Sequence, residues 1–289
     1  MSKYVETNGI RLHYLERPGD GPTLVLAPGL TANAHFFETL LGHLAPRLHV
    51  LAFDLRGRGL SDKPDHGYTM DDHAADMVGA LDALGLDRVM FGGHSFGGLL
   101  TFFMAANHPE RVEKAIVIDA PAEVDPSILD QLKPALDRLE MTFPSWDEYL
   151  AVVKAMPYYA DWEWDPALEV YYRSDVMDLS DGRIRARCRP DHIAQAIQGT
   201  LDVDWPSVVR RLEQPTIFIR ATGPFGPPGL PPLVPADKAE LTMQLLPNGR
   251  LVEFDGNHIT FLFGENAPVV ADEIVEFITG ARLGRIPIA

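Results

Sequence analysis

The chain has 289 residues, and its 46% hydrophobic and 23% charged residues are ordinary proportions for a soluble globular protein. The formal net charge of -16 disfavours nucleic acid and anionic membrane surfaces as partners. A single cysteine, Cys188, excludes an internal disulfide and favours a reducing compartment. The N-terminus lacks a signal-peptide pattern, and no apolar run approaches the roughly 18 residues of a membrane span, so a cytoplasmic protein is predicted.

The first third of the chain alternates between predicted strands and helices. Residues 11–16 alternate in polarity and predict an antiparallel edge strand. Short continuous apolar runs, typical of buried parallel strands, occur at residues 23–27, 49–53, 89–91 and 115–118. Residues 70–84 predict a helix that ends before Gly85. This order predicts an α/β fold with a mostly parallel central sheet and helices on both faces.

The alternation stops after Pro121. Residues 123–205 are helix-like and rich in Pro, Trp and Tyr, and they contain no run of buried strands. Strand and helix patterns return at residues 216–220, 251–254 and 269–277. We therefore expect a core formed by residues 1–122 and 206–289, with residues 123–205 as an inserted helical cap.

Ser95 lies in a G-x-S-x-G motif formed by residues 93–97, between a predicted strand and a predicted helix. A turn this sharp leaves no room for side chains at the two glycines, and it exposes the serine hydroxyl above the sheet edge. A buried structural serine needs no such turn. Ser95 is therefore predicted to be a nucleophile.

Four motifs in this order make the chain resemble the α/β-hydrolase fold family, over most of the sequence outside the cap. Residues 24–30 resemble the strand and turn that carry the first oxyanion donor. Residues 54–61 match the D-x-R-G-x-G-x-S turn of the family, and the Ser95 motif follows. Residues 256–258 resemble the turn that bears the catalytic histidine, His258.

The acid of a serine triad is where the sequence departs from the common family pattern. That acid usually follows the strand that corresponds to residues 216–220, but residues 221–235 contain no acid, and Pro231 stands near the expected position. Asp237 follows, and we interpret it as a helix N-terminal residue. Other family members carry the acid after the next strand beyond the nucleophile, and this resemblance implies Asp119. The alternatives that stay open are Glu123, Asp125 and a two-residue Ser/His site.

Two backbone N–H groups must face the oxyanion of a tetrahedral intermediate. The resemblance assigns them to Phe96, at the start of the helix after the motif, and to Leu30. Pro28 replaces a histidine that is common in relatives, which leaves the Leu30 donor in place. Arg56 and Arg58 are interpreted as bracing of the turn at residues 54–61.

The predicted cap is rich in aromatic residues, which form either the roof of a substrate pocket or a small core of the cap itself. They are Trp146, Tyr149, Tyr158, Tyr159, Trp162, Trp164, Tyr171 and Tyr172. The four arginines at positions 183, 185, 187 and 189 alternate, so they either form a solvated face or supply one cation for a substrate carboxylate. Trp162, Trp164, Arg173 and Arg185 are the candidate substrate-binding residues of the cap.

These observations predict a serine hydrolase that cleaves a small carboxylic ester, lactone or amide through an acyl-enzyme, with Ser95, His258 and Asp119 as the triad. The alternatives are a carbon–carbon bond hydrolase, a cofactor-free dioxygenase, or a slow or non-catalytic ligand receptor. The expected partner is a small molecule. Neither a cofactor nor a metal site is predicted. Residues 283–289 are a candidate docking tail, and a homodimer is a candidate assembly.

Overall fold

The computed structural model describes residues 1–160, 162–227 and 229–281. Its strands are β1 (Ser2–Thr7), β2 (Ile10–Arg17), β3 (Thr23–Ala27), β4 (His49–Phe53), β5 (Val89–His94), β6 (Val112–Ile118), β7 (Thr142–Phe143), β8 (Val176–Asp178), β9 (Ile184–Ala186), β10 (Thr216–Ala221) and β11 (Gly249–Phe254). Its α-helices are α1 (Glu38–Leu44), α2 (Met70–Ala83), α3 (Phe96–Asn107), α4 (Ile128–Asp137), α5 (Trp146–Lys154), α6 (Ala167–Asp175), α7 (Pro190–Leu201), α8 (Trp205–Arg210), α9 (Ala236–Leu245) and α10 (Asn266–Thr279).

The main sheet has eight strands in the order β1-β2-β4-β3-β5-β6-β10-β11. The strands from β4 to β11 in this order pair in parallel, whereas β1 and β2 are antiparallel additions at one side. The predicted mostly parallel sheet is confirmed. The strand predicted at residues 11–16 is not an edge strand, because β1 pairs along its outer side. Sequence reasoning missed β1 because only Val5 and Thr7 of its six residues are buried.

Helices flank the sheet in two groups. Helices α1 and α10 pack against each other, and α2, α3, α8 and α9 form a second continuous group. The predicted helix at residues 70–84 corresponds to α2. Thr69 starts this helix with a capping box to Asp72, and Gly85 follows its end with a φ of 68°.

Residues 123–205, which we call the insertion, lie between β6 and β10. It contains α4 to α7, and it also contains a small antiparallel sheet in the order β7-β9-β8. The sequence predicted a helical cap without a run of buried strands, and these short strands were not predicted. Its strands are two or three residues long, and such short strands leave no readable alternation in the sequence.

The insertion has a polar and aromatic interior of its own. The Arg138 guanidinium donates to Asp175 Oδ2 at 2.6 Å and also to the Tyr149 hydroxyl, and all three side chains are buried. The hydroxyls of Tyr159 and Tyr172 lie 2.8 Å apart. Part of the aromatic set is therefore a core of the insertion rather than the roof of a pocket.

Two further predictions concern the C-terminal tail and membrane-spanning segments. The candidate docking tail, residues 283–289, lies outside the described residues. Among the helices that the structure describes, none has the length and hydropathy needed to cross a membrane.

Candidate active site

Ser95 sits on a strained turn directly after β5. Its backbone has a φ of 57° and a ψ of -117°, a conformation that residues other than glycine rarely adopt. A side chain at Gly97 would collide with the Ala27 carbonyl, and one at Gly93 would collide with the Gly97 carbonyl. The turn brings the half-buried Ser95 to the carboxyl edge of the sheet, at the start of α3.

Asp119 and His258 meet at the same edge. Asp119 follows β6 directly, and His258 lies in the loop after β11. The His258 ring nitrogen Nδ1 lies 2.7 Å from Asp119 Oδ2, and Asp119 Oδ1 accepts a hydrogen bond from the Ala221 N–H at 3.0 Å. When Asp119 is ionised, its Oδ2 can only accept a hydrogen bond, so Nδ1 carries the proton and Nε2 is the nitrogen left to act as a base.

Burial favours the neutral forms of both groups. Asp119 is fully buried and His258 is 4% exposed. Desolvation lowers the pKa of His258 to about 3, and it raises the pKa of Asp119 to about 7. The imidazole is therefore uncharged at neutral pH, which is the form that can accept a proton.

His94 is a site residue that sequence reasoning missed. Its Nε2 donates to the His258 carbonyl at 2.7 Å, and the two rings lie 4.3 Å apart between centroids. Burial lowers the pKa of His94 well below its usual value, so its ring is neutral. The available signal was its place inside the G-x-S-x-G motif, directly before Ser95. His94 thus links the strained turn at Ser95 to the loop that carries His258.

The two predicted oxyanion residues flank Ser95. Phe96 is the first residue of α3, so its N–H has no acceptor within the helix. Leu30 lies in the turn after β3, and its carbonyl accepts a hydrogen bond from Arg58 Nε at 2.9 Å. Arg58 also donates to the Arg56 carbonyl at 2.7 Å and is fully buried. Arg58 therefore links the turn at residues 54–61 to the Leu30 turn, which agrees with its interpretation as a structural residue.

The alternative acids lie elsewhere or are engaged elsewhere. Asp237 is exposed in the first turn of α9. Glu123 pairs with Lys238, and Asp125 accepts a hydrogen bond from the Ser127 N–H at 2.8 Å. Of the candidate acids, Asp119 is the one hydrogen-bonded to His258.

Two cavities of about 60 Å³ each border Ser95. The leucine cavity is lined by Leu99, Leu129, Leu132, Leu201 and Leu233, together with Ser95, Leu30, Phe96 and Asp119. The aromatic cavity is lined by Phe36, Tyr158, Tyr171 and Phe225, together with Ser95, Leu30 and His258. Tyr158 and Tyr171 are the members of the predicted aromatic set that reach the site.

The loop after β10 forms one wall of the aromatic cavity. The Phe225 ring contacts His258 at 5.0 Å and stacks on Tyr158 at 4.8 Å between centroids. Gln131 of α4 donates to the Phe225 and Pro231 carbonyls at 3.2 and 2.9 Å, which ties this acid-free loop to the insertion.

The four candidate substrate-binding residues of the insertion do not line these cavities. Trp162 and Trp164 border a separate cavity with Phe263. Arg173 is exposed and pairs with Asp178 at 3.1 Å, and Arg185 is exposed on β9. These four residues therefore lie outside the lining of both cavities at Ser95, and their predicted role in substrate binding has no support from the structure.

Of the other three arginines in the alternating run, Arg183 and Arg189 are exposed and match the solvated-face interpretation, whereas Arg187 does not. Arg183 pairs with Asp181 at 2.8 Å, and Arg189 pairs with Asp191 at 3.0 Å. Arg187 is half-buried and donates to the Ser174 carbonyl at 3.1 Å.

Comparison with known proteins decides the family. A family model described as alpha/beta hydrolase fold matches residues 22–265. The chain belongs to the α/β hydrolase fold family. The chain is 29% identical over 223 residues to the 2-(acetamidomethylene)succinate hydrolase of Mesorhizobium japonicum. This alignment covers 76% of this chain and 77% of that protein. It is also 37% identical over 118 residues to the N-formylmaleamate deformylase of Pseudomonas putida, covering 40% and 44% of the two chains.

Solved structures agree with this assignment. The crystal structure of E-2-(acetamidomethylene)succinate hydrolase matches with a TM-score of 0.82 and 26% identity, over 97% of this chain and 99% of that one. The enol-lactonase from Burkholderia xenovorans matches with a TM-score of 0.75 over 96% and 100% of the two chains, and at 23% identity it supports the fold alone. Together, these comparisons support a hydrolase of this fold.

Proposed function

We propose that this chain is a serine hydrolase that cleaves a small carboxylic ester, lactone or amide through an acyl-enzyme. The observation that carries the proposal is the 2.7 Å hydrogen bond between Asp119 and His258, at the sheet edge where the strained turn presents Ser95. Relatives named as a hydrolase and a deformylase add support.

In the first half of the reaction, His258 Nε2 takes the proton of the Ser95 hydroxyl as Oγ attacks the substrate carbonyl carbon. Negative charge then develops on the former carbonyl oxygen. The N–H groups of Leu30 and Phe96 stabilise this charge, helped by the positive end of α3. When the tetrahedral intermediate collapses, the bond to the alcohol or amine breaks and His258 gives its proton to the leaving atom.

In the second half, water replaces the leaving group. His258 removes a proton from water as the water oxygen attacks the acyl carbon. When the second tetrahedral intermediate collapses, the bond between the acyl carbon and Ser95 Oγ breaks, His258 returns the proton to Oγ, and a carboxylic acid is released. Asp119 keeps the proton on His258 Nδ1 throughout. His94 is a positioning residue in this scheme, because its hydrogen bond is with the His258 main chain.

Labelling and turnover test the proposal together. The protein is treated with a fluorophosphonate, and the adduct is located by mass spectrometry while 4-nitrophenyl butanoate turnover is followed. We expect one adduct on Ser95 and loss of both signals in Ser95→Ala. Ser207→Ala, at an exposed serine of α8, is the matched control and should retain both.

Either of two results would overturn the proposal: turnover that survives Ser95→Ala, or an adduct on another residue with Ser95 unlabelled. Ligand binding without turnover or adduct would favour the receptor alternative instead. The cytoplasmic location is likewise a proposal, which rests on Cys188 as the single cysteine, a free and buried thiol.

A further inference from the structure

The two cavities at Ser95 differ in whether they are lined by His258, the proposed base. His258 lines the aromatic cavity and is absent from the lining of the leucine cavity. A general acid must reach the leaving atom to protonate it. The leaving group therefore belongs in the aromatic cavity and the acyl chain in the leucine cavity. This assignment rests on the proposed acyl-enzyme reaction.

The leucine cavity offers little to a polar acyl group. Its walls are side chains of α3, α4, α7 and the loop after β10, such as Leu99, Leu129, Ile197 and Leu233. Thr200 also lines it, but its hydroxyl donates to the Ala196 carbonyl at 2.9 Å within α7. Asp119 lines the cavity with both oxygens already hydrogen-bonded, and any negative charge on it repels a carboxylate.

No lysine or arginine lines either cavity in the part of the chain that the structure describes. Arg58 is the cation bound to the Leu30 turn, but its guanidinium stacks on the Phe96 ring at 5.1 Å, and Phe96 and Leu30 form the wall. Arg138 of the insertion is paired with Asp175. A carboxylate placed in the leucine cavity would lose its hydration without gaining a cation.

We propose that the leucine cavity selects an uncharged, apolar acyl chain and rejects one that ends in a carboxylate. The cavity volume of about 60 Å³ suits a chain of about four to six carbon atoms, since a water-sized group needs roughly 10–15 Å³. This specificity separates the chain from a hydrolase of a dicarboxylic substrate, such as the succinate named for its Mesorhizobium relative.

The test compares esters matched in length and leaving group. Rates of ethyl hexanoate, monoethyl adipate and ethyl methyl adipate hydrolysis are measured in a pH-stat at pH 8, with product analysis to identify the ester bond cleaved. We expect kcat/KM for ethyl hexanoate to exceed that for monoethyl adipate by at least about 100-fold, because the carboxylate is desolvated without a partner. Ethyl methyl adipate, of similar length but neutral, should recover most of the rate.

A variant provides the converse test. Leu129 lines the leucine cavity from α4 and is half-buried, so Leu129→Arg places a cation at its wall. We expect this variant to raise the ratio of monoethyl adipate to ethyl hexanoate kcat/KM by about 10-fold. Ser127→Arg, at the exposed start of the same helix, adds the same charge outside the cavity and should leave the ratio unchanged.

The outcomes separate the two proposals. If monoethyl adipate is hydrolysed within 10-fold of ethyl hexanoate and both rates vanish in Ser95→Ala, the specificity proposal fails and the serine hydrolase proposal stands. An optimum at ten or more acyl carbons overturns the predicted chain length. If the protein hydrolyses neither ester and Ser95 is not labelled by fluorophosphonate, the proposed function fails and the specificity proposal fails with it.

Discussion

Replacing Asp119 by Asn should reduce kcat by about 10⁴-fold, by analogy with the loss of a triad acid. The structure explains why the amide cannot substitute for the carboxylate. Asp119 accepts two hydrogen bonds, one from Ala221 N–H through Oδ1 and one from His258 Nδ1 through Oδ2. An Asn side chain has one acceptor and one donor group, so it can reproduce only one of these bonds.

Both orientations of the amide are unfavourable. If the Asn oxygen faces Ala221, the amide NH₂ donates to His258 Nδ1, and the ring proton moves to Nε2, where it blocks the base. If the oxygen instead faces His258, two N–H donors oppose each other beside Ala221, which costs about 1–3 kcal/mol in a buried site. The expected rate loss corresponds to about 5 kcal/mol in activation free energy.

The assay is kcat for ethyl hexanoate or 4-nitrophenyl butanoate, with a thermal melt to establish that the variant is folded. Asp237→Asn is the control, because Asp237 follows the loop that carries the triad acid in most family members but is exposed at the start of α9. Activity of a folded Asp119→Asn protein within 10-fold of the parent would refute the reasoning. So would a 100-fold or larger loss in Asp237→Asn.

Three further predictions concern strain, pH and the insertion. Ser95→Gly should melt a few degrees above Ser95→Ala, because glycine relieves a backbone strain of about 1–3 kcal/mol, and equal melting temperatures would contradict this. The kcat/KM should fall as the pH drops below about 7, because burial raises the pKa of Asp119 to about 7. A proton taken up by the Asp119–His258 pair removes the base that accepts the Ser95 proton. A flat pH profile down to about pH 5 would count against this prediction. Arg138→Met should destabilise the protein by about 3–5 kcal/mol because Asp175 stays buried without its cation, and Arg138→Met with Asp175→Leu should recover most of the loss in a chemical denaturation series.

The sequence predicted the parallel sheet well because buried parallel strands are continuous apolar runs, which are readable without tertiary information. The resemblance to family members that carry the acid after this strand indicated Asp119, and the hydrogen bond between Asp119 and His258 is consistent with that prediction. By contrast, β1 was missed because most of its residues are exposed or half-buried. Local pattern is thus sufficient where burial is complete and insufficient where it is partial.

The insertion could not be assigned from the sequence in the same way. Trp162 and Trp164 are large aromatic residues that do not line the leucine cavity, whereas Leu129 and Ile197 are among the side chains that do. Which face of α4 or α7 points at Ser95 depends on how the insertion packs on the core, and helical periodicity alone leaves that direction open.

The position of Asp119 directly after β6 has a consequence for how this hydrolase can evolve. In family members that carry the acid after the strand corresponding to β10, the loop after that strand must keep the acid within hydrogen-bond distance of the catalytic histidine. Here that loop contributes Phe225 and Leu233 to the two cavities and contains no acid. Under the proposed mechanism, substitutions in residues 222–235 can therefore change the cavities without replacing Asp119 or His258, and a randomised library confined to this loop is a direct route to altered specificity.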